Sequence, residues 1–124
     1  MNSILWVVQV VLALLFLGAG SLKISQSKAR LVQRGMGWVA HTPMTSVRLI
    51  GGLEVAGAVG LVLPVLTGIF PWLTPVAAAG LCLTMLGAAI TNLTLRDGKS
   101  LLINISFLAL AAFIAYGRFA VIPV

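Results

Sequence analysis

The sequence is poor in acidic residues, cysteine and histidine, and each shortage excludes a class of site. Asp and Glu together number two, and there is one histidine and one cysteine. A lone cysteine, Cys82, can form neither an intramolecular disulfide nor a CxxC redox pair. A zinc site needs three or four Cys, His or carboxylate ligands. The few candidate ligands are spread along the chain, so we expect no metal site.

Charged residues of either sign are also scarce. Only 8% of the 124 residues are charged and 60% are hydrophobic, whereas a soluble domain is typically about 25% charged. A soluble domain of this composition would expose apolar patches large enough to cause aggregation. The composition therefore indicates an integral membrane protein. The net charge of +6 then favours contact with anionic membrane lipids and not with nucleic acid.

Four apolar segments have the length of about 20 residues that a helix needs to cross a bilayer. They cover residues 4–22, 47–66, 73–95 and 101–116. The segment 23–42 carries cations, and its apolar residues recur near helical spacing, which predicts a short cationic helix in the membrane interface. The predicted fold is all-α. A single membrane domain, residues 1–124, forms a four-helix transmembrane bundle.

The cations are distributed unequally between the two sides of the predicted bundle. Seven of the eight fall in or beside the loops that join span one to span two and span three to span four. Arg118 alone closes span four on the other side. The positive-inside rule places the more cationic side in the cytoplasm. We therefore expect a multi-pass protein of a bacterial inner membrane with both termini outside.

Each predicted span offers a polar side chain to the cytoplasmic half of the bundle. At a rise of 1.5 Å per residue, Glu54 lies about 10 Å and Asn92 about 5 Å from that boundary. Asn104 lies at a similar depth, and Lys23 ends span one. An ionisable residue inside a membrane costs about 2.5–3.5 kcal/mol, so Glu54 should face the bundle and have a partner. Lys23 is the first candidate, and Asn92, Asn104 and Thr91 are alternative hydrogen-bond donors.

Two interpretations of these polar residues remain open. An intramembrane carboxylate is by default a ligand or proton site. A buried polar clamp that fixes the register of the helices is equally compatible with the sequence. Outside this group, Trp38, His41 and Arg118 are expected at the membrane interface, where tryptophan and cations anchor helices.

Small residues spaced four apart form a stripe on span two and another on span three. We expect both stripes to be packing surfaces, because small residues let helix backbones approach closely in lipid. The stripes consist of Gly52, Ala56 and Gly60 in span two, and of Gly80, Thr84, Ala88 and Asn92 in span three.

Several segments together resemble the DoxX-like family of small four-helix membrane proteins, and the resemblance covers nearly the whole chain. It maps onto Lys23, Glu54 and the polar end of span three near Asn92. The residues that carry it are Trp6, Gln9, Phe16, Gly18, Gly20 and Lys23 in span one, Gly35 to Trp38 and Pro43 in the loop, Glu54 with its flanking glycines in span two, and Thr74, Pro75, Gly80 and Gly87 in span three.

The name-giving members of that family are small subunits of a membrane thiosulfate:quinone oxidoreductase. The resemblance therefore implies a non-catalytic subunit or accessory factor of a membrane redox complex, with quinone or lipid bound near Glu54. Its implied partners are other membrane subunits or further copies of the chain. Relatives with thiol chemistry carry cysteine pairs, so Cys82 alone argues against direct dithiol transfer.

Two alternative functions remain. One is a transporter of small molecules or protons, which needs polar residues that continue across the membrane. The outer halves of spans two to four are almost wholly apolar, which disfavours a pore. The other is a membrane-embedded enzyme that uses Glu54 as an acid or base, for which the sequence shows no substrate pocket.

Overall fold

The computed structural model describes residues 2–121, and the long helices form a bundle. Helix α1 covers Asn2–Ser25, α2 covers Lys28–Gln33, α3 covers Met44–Thr67, α4 covers Leu73–Thr94 and α5 covers Gly98–Tyr116. A 3-10 helix covers Gly37–His41, and a π-helical turn covers Gly117–Val121. These residues contain no β-strand, and four of the helices are long and apolar enough to span a membrane. The all-α four-helix bundle expected from the sequence is confirmed.

The long helices extend beyond most of the predicted span ends, because polar residues continue the helical hydrogen bonding past the apolar core. Helix α1 runs to Ser25, so Lys23 lies in its last turn and not in the interfacial segment. Helix α5 begins at Gly98, where the Asp97 side chain accepts a hydrogen bond from the Ser100 amide at 3.1 Å. Hydrogen bonds from the side chain and backbone of Ser100 hold the pKa of Asp97 below its ordinary value.

The predicted interfacial helix is two short helices and not one. Between α2 and the 3-10 helix the chain turns at Gly35, whose φ of +95° lies in the left-handed region that glycine adopts without steric cost. The buried side chains of Leu31, Val39 and Val47 form a small cluster that joins this segment to the start of α3. The segment therefore packs against one end of the bundle.

Helices α1 and α3 approach each other closely at two glycines. A Cβ atom added to Gly20 would lie 2.6 Å from the carbonyl oxygen of Gly51, and one added to Gly51 would lie 2.8 Å from Lys23 Cβ. Helix α3 also packs on α4, and α4 on α5, whereas α1 and α5 make fewer contacts. The close approach at the two glycines brings the last turn of α1, including Lys23, against α3.

The surface of the bundle is apolar. Large hydrophobic side chains with more than half of their surface exposed occur on all four long helices, for example Leu14, Leu66, Leu83 and Leu102. Such a surface is stable in lipid and not in water. With its four spanning helices, the chain is a multi-pass membrane protein.

Arg48 of α3 caps the carboxyl end of α1. Its Nη1 atom donates hydrogen bonds to the carbonyl oxygens of Lys23 at 2.9 Å, of Ile24, and of Gln26 at 3.0 Å. The last carbonyl groups of a helix have no intrahelical donor, and a cation at this end also interacts favourably with the helix dipole. Arg48 therefore holds the end of α1 where Lys23 lies.

The substitution Arg48→Ala should lower the free energy of unfolding by about 1–3 kcal/mol, because hydrogen bonds from a charged donor contribute more than neutral ones. Thermal unfolding of the purified protein in detergent measures the change. Lys28→Ala removes an exposed cation of α2 and should cost less than about 0.5 kcal/mol. Equal losses in the two variants would contradict the capping role of Arg48.

Candidate functional site

Lys23 and Glu54 form an ion pair inside the bundle. Lys23 Nζ donates to Glu54 Oε1 at 2.5 Å. Both side chains are buried, and Glu54 is only 1% exposed. The pair forms because Gly20 and Gly51, three residues before each partner, let the two backbones approach. The structure therefore brings together the carboxylate and the first partner considered for it.

Trp38 covers the ammonium group of this pair. Lys23 Nζ lies 5.7 Å from the centroid of the Trp38 ring, within reach of a cation–π interaction. Trp38 is half-buried and belongs to the 3-10 helix, whereas His41 at the end of the same helix is exposed. Of the two residues expected at the interface in this segment, Trp38 contributes to the surroundings of the ion pair.

Asn92 and Asn104 hydrogen-bond to each other and not to Glu54. Asn92 Nδ2 donates to Asn104 Oδ1, which links α4 to α5. Thr91 is exposed, and its hydroxyl donates to the carbonyl oxygen of Gly87 at 3.0 Å. A helical threonine readily satisfies its hydroxyl on the carbonyl four residues earlier. Thr91 therefore does not act as the alternative donor to Glu54 that the sequence allowed.

Two cavities meet at the ion pair. The inner cavity, of about 170 Å³, lies beside the interfacial segment and includes Arg34 and Ser100 in its wall. The lateral cavity, of about 380 Å³, lies between α3 and α4 and includes Ile50 and Leu53 in its wall. Six residues line both cavities, namely Lys23, Trp38, Glu54, Met85, Asn92 and Asn104.

Two buried oxygen atoms in the walls of these cavities have no hydrogen-bond donor among residues 2–121. They are Glu54 Oε2 and Asn92 Oδ1. A buried acceptor without a donor costs about 1–3 kcal/mol. Lys23 carries three N–H donors, of which one reaches Glu54 Oε1. The site can therefore both accept hydrogen bonds from a polar group in either cavity and donate to it.

A second polar cluster, which the sequence did not predict, joins α1 to the turn after α5. Arg118 Nε donates to Gln9 Oε1 at 2.7 Å, and Arg118 Nη1 donates to Asn2 Oδ1 at 2.8 Å. Gln9 Nε2 donates in turn to the carbonyl oxygen of Leu61 at 2.6 Å. The guanidinium also lies 5.7 Å from the ring centroid of Trp6.

Arg118 is therefore a buried link between helices and not the interfacial anchor expected from its position at the end of a span. Its side chain is only 2% exposed, because amide oxygens of α1 bind the guanidinium inside the bundle. The spacing of Gln9, Phe16 and Lys23, each seven residues from the next, is the sequence signal for a polar residue on the buried face of α1.

A model of the DoxX-like family matches residues 7–114. The matched region includes both members of the ion pair, both asparagines, and all or most of each spanning helix. Neither the curated proteins nor the solved structures yield a match for the chain.

Proposed function

This chain belongs to the DoxX-like family of membrane proteins, and we propose that it binds the polar head of a membrane-dissolved quinone or lipid at the Lys23–Glu54 pair. It acts as a non-catalytic subunit or accessory factor of a membrane redox complex, together with other membrane subunits or further copies of itself. The observation that carries the proposal is the position of the ion pair between two cavities, with unbonded oxygen atoms in their walls.

A clamp that only fixed helix register would be packed on all sides and would satisfy its own polar atoms. Here Glu54 Oε2 and Asn92 Oδ1 lack donors among the described residues, and both side chains line open space. A quinone carbonyl would accept a hydrogen bond from Lys23. A quinol hydroxyl would donate one to Glu54 Oε2. Both redox forms of such a head group therefore suit the donors and acceptors present.

The lateral cavity has the size and position that a membrane-dissolved ligand requires. Its volume of about 380 Å³ falls within the range of about 300–1,000 Å³ that is usual for small-molecule sites. Leu53 and Leu83 in its wall are 54% and 72% exposed on the apolar outside of the bundle. A hydrophobic molecule would therefore enter sideways from the lipid, without passing through water.

The orientation proposed from the cations places the Lys23–Glu54 pair in the cytoplasmic half of a bacterial inner membrane, with both termini outside. The connections between α1 and α3 and between α4 and α5 then face the cytoplasm. Their Lys and Arg side chains contact anionic lipid head groups there. This charge distribution favours membrane lipids, and not nucleic acid, as binding partners.

Trp38 provides a direct measurement of ligand binding. Trp6, Trp38 and Trp72 are the three tryptophans, so Trp6→Phe with Trp72→Phe leaves Trp38 as the sole tryptophan. Because Trp38 lines both cavities, decylbenzoquinone added to the protein in mild detergent should quench it saturably. Displacement of the quinone by an added phospholipid would identify lipid as a competing ligand.

The matched control is the double variant Trp6→Phe with Trp38→Phe, in which Trp72 is the one remaining tryptophan. Trp72 follows the turn after α3 and is 53% exposed, at the end of α3 far from Glu54. Quinone dissolved in the detergent should quench it in simple proportion to concentration. The same unsaturable quenching of Trp38 would contradict the proposed function.

A further inference from the structure

A groove between α3 and α4 continues from the lateral cavity, and we infer that it holds the hydrocarbon tail of the molecule whose head binds at Lys23–Glu54. The inference rests on the proposed function and adds the class of ligand, an amphiphile with a long apolar tail. The groove has a volume of about 620 Å³. It shares Leu53 and Thr84 with the lateral cavity, so the two spaces adjoin along one pair of helices.

The walls of the groove are almost wholly apolar. Its lining includes Ala56, Val59 and Leu63 on α3 and Val76 on α4, and Thr84 is its one polar side chain. The Thr84 hydroxyl donates to the carbonyl oxygen of Gly80 at 3.0 Å, so its donor is satisfied within α4. A polar solute would gain no partner here, whereas a hydrocarbon chain leaving the Lys23–Glu54 pair would contact carbon throughout.

The groove is open because the two stripes of small residues do not pack together along their whole length. Gly60 does serve as a packing surface, since a Cβ atom added there would lie 2.8 Å from Ala77 Cβ. A Cβ atom added to Gly52 or Gly80 meets nothing within 4 Å. The expectation that both stripes are packing surfaces is therefore wrong for Gly52 and Gly80, and Gly80 lines the open groove.

The combined length of cavity and groove matches a membrane-dissolved chain. Glu54 lines the lateral cavity and Pro64 lines the far part of the groove. These residues lie roughly 15 Å apart along α3 at a rise of 1.5 Å per residue, about half of the ~30 Å hydrocarbon thickness of a bilayer. A tail attached to a head group at Glu54 would therefore stay against the protein for about half of the membrane.

A transmembrane helix of a second copy is the other occupant that a groove with small residues suits. The hydrocarbon tail is favoured because the groove adjoins the cavity in which Glu54 Oε2 and Asn92 Oδ1 lack donors. A packed apolar helix would leave those two oxygen atoms unbonded. An amphiphile supplies the polar head and the apolar chain in one molecule.

The substitution Gly80→Leu tests the inference, because it fills the groove from a position where a Cβ atom meets nothing. Two probes are titrated against Trp38 fluorescence: the dimethoxy-methyl form of decylbenzoquinone, and the quinone with the same ring substituents but without the decyl tail. Lipid tails are as apolar as leucine, so the groove stabilises the bound tail only through packing contacts. We therefore expect Gly80→Leu to weaken binding of the tailed probe by a modest factor of about ten. Binding of the tail-less probe should not change.

Gly18→Leu is the matched control, since Gly18 is exposed on α1, an added Cβ meets nothing within 4 Å, and the residue lines no part of the groove. It should leave the binding of both probes unchanged.

Unchanged binding of the tailed probe to Gly80→Leu, or equal weakening of both probes, overturns the tail assignment while the head site stands. Loss of self-association in Gly80→Leu with both affinities intact assigns the groove to a second copy. Failure of both probes to bind the wild-type protein overturns the proposed function itself.

Discussion

The substitution Lys23→Met is expected to lower the free energy of unfolding by about 3–5 kcal/mol, the cost of removing one partner of a buried ion pair. Glu54 is 1% exposed, and within residues 2–121 Lys23 is its one ion-pair partner. Without the ammonium group, the carboxylate stays buried with no compensating charge. Glu54→Leu should cost a similar amount, because it leaves the Lys23 ammonium buried alone. Unfolding of the purified protein by titration with a denaturing detergent, followed by circular dichroism, measures both.

The double variant Lys23→Met with Glu54→Leu should recover most of the stability that either single variant loses. Replacing both partners of a buried ion pair with apolar residues is often neutral, since no unpaired charge remains. Lys28→Met provides the control for the lysine substitution, because Lys28 is exposed on α2, and it should change stability by less than about 0.5 kcal/mol. Strictly additive losses at Lys23 and Glu54 would contradict their coupling.

The substitutions Gly20→Leu and Gly51→Leu are expected to destabilise the bundle by about 3 kcal/mol, at the upper end of the usual cost of overpacking. A Cβ atom on Gly20 would lie 2.6 Å from the Gly51 carbonyl oxygen and 2.8 Å from Val55 Cγ2. One on Gly51 would lie 2.8 Å from the Gly20 carbonyl oxygen. Backbone atoms cannot move aside cheaply, so α1 must separate from α3. The same unfolding titration measures the loss.

Gly18→Leu and Gly52→Leu are matched controls on the same two helices. Each lies within two residues of its test position, and an added Cβ atom meets nothing within 4 Å. These variants should stay within about 1 kcal/mol of the wild-type protein, because leucine also has a higher helix propensity than glycine. If the control substitutions cost as much as Gly20→Leu, the close approach of α1 and α3 would not be what holds the bundle together.

The four spanning helices and the identity of the central residues can be read from the sequence for simple physical reasons. Apolar segments of sufficient length predict spanning helices whatever their order of packing. Depth along those helices then selects Lys23, Glu54, Asn92 and Asn104, because few polar residues occur in them. A membrane-embedded carboxylate needs a partner, and Lys23 at the end of span one is the first candidate.

The hydrogen-bond partners of these polar atoms cannot be predicted from the sequence in the same way. Asn92 bonds Asn104 because α4 packs beside α5, and the sequence does not state which helices are neighbours. Thr91 has the right depth and lines the lateral cavity, but its hydroxyl bonds its own helix and not Glu54. Arg118 lies at a span end, yet it reaches Gln9 inside the bundle. Each outcome depends on helix rotation, which residue spacing alone predicts only in part.

The cavities are harder to predict from the sequence than the hydrogen bonds are. They depend on the volume left between helices after packing, and small residues produce either contact or open space. Gly51 and Gly52 are neighbours in the chain, yet an added Cβ meets backbone at the first and nothing at the second. The lateral cavity and the groove therefore depend on how closely α3 and α4 pack, which the stripes of small residues do not by themselves specify.

The central claim is that the Lys23–Glu54 pair binds a polar head group and is more than a structural clamp. The most direct test is titration of decylbenzoquinone into the double variant Lys23→Met with Glu54→Leu, with Trp38 as the sole tryptophan. The variant should remain folded, because no buried charge is left unpaired, and it should lose the saturable quenching shown by the protein with the intact pair. A folded double variant that binds the quinone as tightly as that protein would contradict the claim.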